Sequence, residues 1–179
     1  MSEDLKIDTA ELRAVMDKSA LRDIAMRYAR AIDRRDRELL ISCYHDDAID
    51  HHGTLFRDGP IAYADWQPVI MAPFAVTAHY ILNTDYRLDG DKAEGELYFI
   101  AYHRLSEGKE AIVGGRYQDR YERRNGEWRI AHRMIVWDFA RENPLDEVQF
   151  AFLQSLGDVG SGADDASFRN LSLFGKGAA

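Results

Sequence analysis

Residues 121–130 read Tyr121-Glu-Arg-Arg-Asn-Gly-Glu-Trp-Arg-Ile130. An Asn-Gly pair accepts the left-handed backbone conformation that a two-residue turn demands. Asn125-Gly126 therefore predicts a tight hairpin between a strand from Glu110 to Arg123 and a last strand from Glu127 to Phe139. Reading backwards, Ser106-Glu107-Gly108 breaks the pattern, and Lys92 to Leu105 before it is another strand. Asp89-Gly90-Asp91 is the next turn signal, ending a strand from Val76 to Leu88. Four long strands joined in sequence by three turns predict an antiparallel meander.

The residues ahead of the meander are helical by period. From Ser19, read as an N-cap, apolar residues recur at Leu21, Ile24, Ala25, Tyr28, Ala31 and Ile32. Asp33-Arg34-Arg35-Asp36 interrupts the stripe, and Leu39 to Tyr44 suggests a short second helix. Asp47 to Gly53 reads as a short strand, and Gly59-Pro60 opens a further helical stretch running to Pro73. Helices first and a meander after is an α+β layout: helices packed on a strongly curved antiparallel sheet, a cone enclosing a pocket. Residues 1–143 form that domain. Residues 144–179, rich in Gly, Ser and Asp, are expected to be a tail anchored through Phe150, Phe152 and Leu153 and mobile beyond.

Charge and composition exclude several functions. The 179 residues carry 23 basic and 31 acidic side chains, a net charge of -8, which disfavours a phosphate-backbone partner. No apolar run approaches the ~20 residues of a membrane helix, and the first residues, MSEDLKIDTAEL, are too acidic for a signal peptide. A single cysteine, Cys43, excludes an internal disulfide. The expectation is a cytoplasmic protein with no nucleic-acid or membrane partner. Gly114-Gly115 lies within a strand, so no dinucleotide site follows. Asp50-His51-His52 with His45 invites a metal reading, but adjacent strand residues point to opposite faces, so no metal is expected.

The order Tyr28-Ala-Arg-Ala-Ile-Asp33, Tyr44-His-Asp-Asp-Ala-Ile, Ala78-His79-Tyr80 and the Tyr121 to Trp128 hairpin resembles the SnoaL-like branch of the NTF2-like superfamily over about residues 10–140. Asp33 and His79 match a pair shared by scytalone dehydratase, the bile-acid 7α-dehydratases and hexachlorocyclohexane dehydrochlorinase. Tyr28 matches a tyrosine of the bile-acid enzymes, His103 the second histidine of scytalone dehydratase, and Arg133 the arginine of the dehydrochlorinase. The lysine of the dehydrochlorinase is replaced by Tyr28 here, and the Ser and Asn ligands of the scytalone enzyme have no clear match. The resemblance thus implies a mechanism more than a substrate.

That mechanism is cofactor-independent elimination of water, formaldehyde or a related group. His79 would be the base, since an ordinary histidine pKa near ~6.5 leaves it neutral at neutral pH. Asp33 would fix its tautomer, and Tyr28, His103 and Arg133 would supply donors for developing negative charge. By spacing alone, Asp33 reads as a solvated residue in a polar turn and His79 as a satisfied strand histidine, while Tyr28 reads equally as core and Arg133 equally as the partner of a buried acid, Asp33 included.

Strand alternation places His79 with Thr77, Ile81 and Asn83, His103 with Leu97, Phe99 and Ala101, and Arg133 with Ile135 and Trp137. Tyr44, His52, Phe56, Trp66, Phe99 and Trp137 are the expected binding wall for a flat aromatic or polycyclic substrate. The opposite face, with Tyr80, Leu82, Tyr98, Ile100 and Tyr102, suggests a homodimer or homotrimer. A polyketide cyclase or isomerase moving a proton without a leaving group is the competing enzymatic reading, and a non-catalytic ligand-binding protein the other.

Overall fold

A computed structural model describes residues 8–157, 162 and 164–174. Helix α1 (Thr9–Arg34) begins well before Ser19: Asp8 is its N-cap, accepting from the Ala10 N–H at 2.8 Å. Its first three turns bury nothing, with Leu12, Val15 and Met16 exposed, so apolar period could not reveal them; the buried stripe begins at Leu21. The helix ends where Arg35 turns left-handed (φ 54°), and Asp36 caps α2 (Arg37–Ser42) by accepting from the Leu39 N–H at 3.0 Å. Strand β1 (Tyr44–His51), the two-residue β2 (Arg57–Asp58) and helix α3 (Pro60–Met71) follow.

The meander consists of β3 (Phe74–Asp89), β4 (Lys92–Leu105), β5 (Lys109–Arg124) and β6 (Glu127–Pro144). Strand β6 runs past Phe139 because the start of β5 pairs with it, Lys109 opposite Pro144 and Val113 opposite Ala140. The sheet order is β2-β1-β6-β5-β4-β3, and β1 runs parallel to β6 while every other pair is antiparallel. The sheet is therefore mixed rather than wholly antiparallel. The chain leaves β1, crosses through α3 and traverses the meander before returning beside it, so the two neighbours share a direction.

Bulges bend this sheet around the helices. One lies between Ile81 and Thr84 and reverses the facing of β3, so Asn83 is exposed rather than inward with His79, and Tyr86 is buried. Another lies at Gly114-Gly115, where a Cβ on Gly115 would stand 2.3 Å from the Val136 carbonyl oxygen. Only glycine permits that approach. Leu21, Ile24 and Ile32 of α1 pack with Leu97 and Ile130 of the sheet in the core, each such side chain worth ~1.5–3 kcal/mol on burial.

Helix α4 (Glu147–Ser155) follows β6. Phe150 anchors it, its ring 3.8 Å from the Arg104 guanidinium carbon, whereas Phe152 and Leu153 are exposed and do not. Farther on, around α5 (Ser167–Asn170), Asp165 pairs with Arg34 at 3.2 Å and Phe174 lies beneath Arg30. The loose end expected at 175–179 lies outside the described residues. Among the described residues no helix is long and apolar enough to cross a membrane.

Candidate active site

Asp33 stands in the last turn of α1, where the negative end of the helix dipole opposes a carboxylate. Its compensation comes from one residue of β3. Oδ1 lies 2.7 Å from His79 Nδ1, and Oδ2 accepts the His79 backbone N–H at 2.9 Å. An ionised carboxylate at Nδ1 requires a hydrogen there, which leaves Nε2 as the ring's free basic nitrogen. His79 lines a cavity of about 420 Å³ between α1, α3 and the inner face of the sheet.

His103 sits beside it on β4, with the ring centroids 5.6 Å apart and edge to face. Its ring stacks on Phe74 at 4.4 Å. Burial, with the neighbouring His79 acting in the same direction, pushes the His103 pKa down to about 4, so it is a neutral imidazole at neutral pH. Its Nδ1 is buried without a hydrogen-bond partner. Tyr28, from α1, shares a 2.8 Å hydrogen bond with the Tyr63 hydroxyl of α3. Burial raises both phenols well above their ordinary range, so they are neutral donors.

Arg133 is placed differently from its expected role. It is wholly buried, and its counter-ion is Asp119 rather than Asp33: Nε and Nη2 bind Oδ1 and Oδ2 at 2.8 and 2.6 Å. Tyr121 donates to the same Asp119 carboxylate at 2.5 Å. The guanidinium is held between the rings of Tyr28 and Tyr117, 4.0 and 4.2 Å from their centroids. Those rings line the cavity and Arg133 does not. Its charge therefore acts through the tyrosines.

His52, Trp66, Phe99 and Trp137 do line the cavity. Tyr44 and Phe56 do not. The Tyr44 hydroxyl donates to buried Asp50 at 2.5 Å, and Phe56 stacks behind Trp66 with ring centroids 5.0 Å apart. His45 turns to the Glu122 carbonyl at 2.9 Å, and among the described residues no three His, Cys, Asp or Glu side chains converge as metal ligands.

Four residues of the site or its support were not singled out as such by sequence reasoning: Tyr63, Tyr117, Asp119 and Asp50. For Asp119 a signal existed, since strand alternation puts it on the inward face with Tyr117 and Tyr121. An acid in an inward aromatic row needs a buried base. For Tyr63 and Asp50 no local pattern points to the cavity.

A base with an orienting carboxylate, facing an apolar cavity furnished with neutral donors, can take a proton from carbon and support negative charge on a nearby oxygen. Comparison with known proteins bears on which reaction this serves. The sequence model of a SnoaL-like domain matches residues 13–134. The chain is 29% identical over 150 residues to gamma-hexachlorocyclohexane dehydrochlorinase of Sphingobium indicum, a match covering 79% of this chain and 92% of that one. The solved structure of LinA superposes with a TM-score of 0.70 at 24% identity, covering 78% of this chain and 96% of LinA. Hexachlorocyclohexane dehydrochlorinase LinA-type3 from Novosphingobium barchaimii gives 0.69 at 23% identity, covering 76% of this chain and 95% of that one. At that identity the structural likeness shows the shared fold.

Proposed function

The chain belongs to the SnoaL-like domain family, and from that premise we propose that it is a lyase that eliminates a small leaving group from a ring compound. The observation that carries this reading is the placing of both Asp33 oxygens on His79 at the edge of an apolar cavity. A pocket that only bound a ligand would gain nothing from a carboxylate that sets a histidine tautomer.

In this reaction His79 Nε2 takes a proton from carbon, the C–H electron pair becomes the new double bond, and the leaving group departs with its own bonding pair. Asp33 stabilises the imidazolium that forms. Tyr28 and His103 supply hydrogen bonds to a substrate oxygen gaining charge. Every group in that account is a side chain of this protein, so the reading calls for no cofactor. The wall of Trp66, Phe74, Phe99 and Trp137 suits a flat aromatic or polycyclic substrate, and about 420 Å³ holds one of modest size. The elimination chemistry named for the Sphingobium indicum relative supports the same reaction class.

Two reactions test it. One is chloride release from gamma-hexachlorocyclohexane. The other is ring-opening of 5-nitrobenzisoxazole, in which a base takes the ring C–H proton as the N–O bond breaks to a nitrile and a phenolate. Turnover of either, lost by about 100-fold or more in His79→Ala, is the expected result. Turnover of neither, or turnover indifferent to His79, removes the reading. Solvent deuterium entering a ring ketone with no group released would favour the isomerase alternative.

A further inference from the structure

The cavity has a second carboxylate-backed histidine. His52 follows β1 and His79 lies on β3, so they enter the cavity from strands far apart in the sheet, with β6, β5 and β4 between them. Behind His52 is Asp50, fully buried, whose Oδ2 accepts the Tyr44 hydroxyl at 2.5 Å. His52 Nδ1 stands 2.5 Å from Asp50 Oδ1, off the hydrogen-bonding direction. Asp50 is also paired in register with Arg133, but two guanidinium nitrogens of Arg133 are committed to Asp119. Arg133 is thus engaged by Asp119, and a second buried acid needs a polar partner of its own. His52 is the basic side chain in contact with Asp50. On the far side of the ring, His52 Nε2 lies 3.4 Å from the Tyr63 hydroxyl, which is itself bonded to Tyr28.

We infer that His52, positioned by Asp50, is a second proton-handling residue of this cavity: the general acid that protonates a departing oxygen. The inference rests on the elimination reading and specifies its substrate class. Chloride leaves as a stable anion and needs no acid, whereas a hydroxyl leaves readily only as water. A site with a base at one side and an acid at the other is thus built for an alcohol or another oxygen leaving group. The step balances. The C–H proton goes to His79 Nε2, its electron pair forms the C=C bond, the C–O pair stays on oxygen, and that oxygen takes the Nε2 proton of His52. Water departs with His79 charged and His52 neutral, and proton exchange with solvent restores both.

The experiment compares 5-nitrobenzisoxazole with unsubstituted benzisoxazole, whose phenolate is the poorer leaving group, in the full chain and its variants. An acid matters more as the leaving group worsens. His52→Gln is expected to slow the unsubstituted compound about tenfold more than the nitro compound, steepening the dependence on leaving group. His52→Phe, which keeps the ring packing against Tyr63 and Trp66, should do the same, so a folding defect in one variant leaves the other to report. His79→Ala should abolish both reactions equally. Equal losses on the two compounds in the His52 variants, or no loss, would overturn the inference while leaving the base intact. No acceleration by the wild type, or acceleration that survives His79→Ala, would overturn the elimination reading and this inference with it.

Discussion

Asp33 directs both of its carboxylate oxygens to a single residue, His79, one to the ring at 2.7 Å and one to the backbone N–H at 2.9 Å. The two contacts hold different things. The backbone bond fixes where β3 lies relative to the end of α1, and the ring bond fixes which nitrogen faces the cavity. The same carboxylate thus aligns the strand and sets the tautomer.

Asp33→Asn separates these functions. The amide oxygen can still accept one N–H, but the charge that supports an imidazolium is gone. Turnover of 5-nitrobenzisoxazole is expected to fall about 100-fold with a smaller change in KM, while the melting temperature moves by only a few degrees. Equal kcat in the variant and the wild type would show that the carboxylate only positions the strand.

His103 makes stability depend on pH. In the unfolded chain it takes up a proton near its ordinary value of 6.5, and in the fold only at about 4. Between those values the unfolded state binds more protons, so this group's contribution is complete above about pH 6.5 and is lost as pH falls towards about 4. The full loss approaches ~3 kcal/mol. Urea denaturation at about pH 7 and about pH 4.5 should show a smaller pH-dependent loss in His103→Leu than in the wild type. Identical losses in both would contradict the assignment.

Arg133 and Asp119 are an ion pair with no solvent exposure. Removing either partner leaves an uncompensated buried charge, so Arg133→Met and Asp119→Asn should each destabilise the fold by about 3–5 kcal/mol. A double replacement with apolar residues should recover much of that loss. Chemical denaturation of the two single variants and the double variant checks this. Additive losses in the double variant would mean that the residues are not acting as a pair.

On the outer face of the sheet, Tyr80 and Leu82 of β3 lie near Tyr98 of β4, exposed by 56%, 44% and 42%. We propose that this patch associates copies of the chain into a homodimer or homotrimer. Light scattering at micromolar concentration should give an oligomer that Tyr80→Glu with Tyr98→Glu dissociates. A monomeric wild type would refute it.

The sequence by itself determined the local elements. Asn125 and Gly126 adopt positive φ of 54° and 84° at the hairpin they announce, β4 runs from Lys92 to Leu105 as its turn signals bound it, and Leu97, Phe99, Ala101 and His103 all face inward by strand alternation. These are short-range properties: a turn needs particular torsions, and a half-buried strand repeats every two residues. The proximity of Asp33 and His79 came from family resemblance, because no spacing rule links residues on a helix and a distant strand. Tertiary structure alone decided the rest. It set β1 parallel to β6, reversed the facing beyond Ile81 by a bulge, and gave Arg133 to Asp119 and His52 to Asp50. Periodicity encodes that a side chain is buried. Which buried acid meets which buried base depends on strand order and register, and those are set only when the sheet closes around the helices.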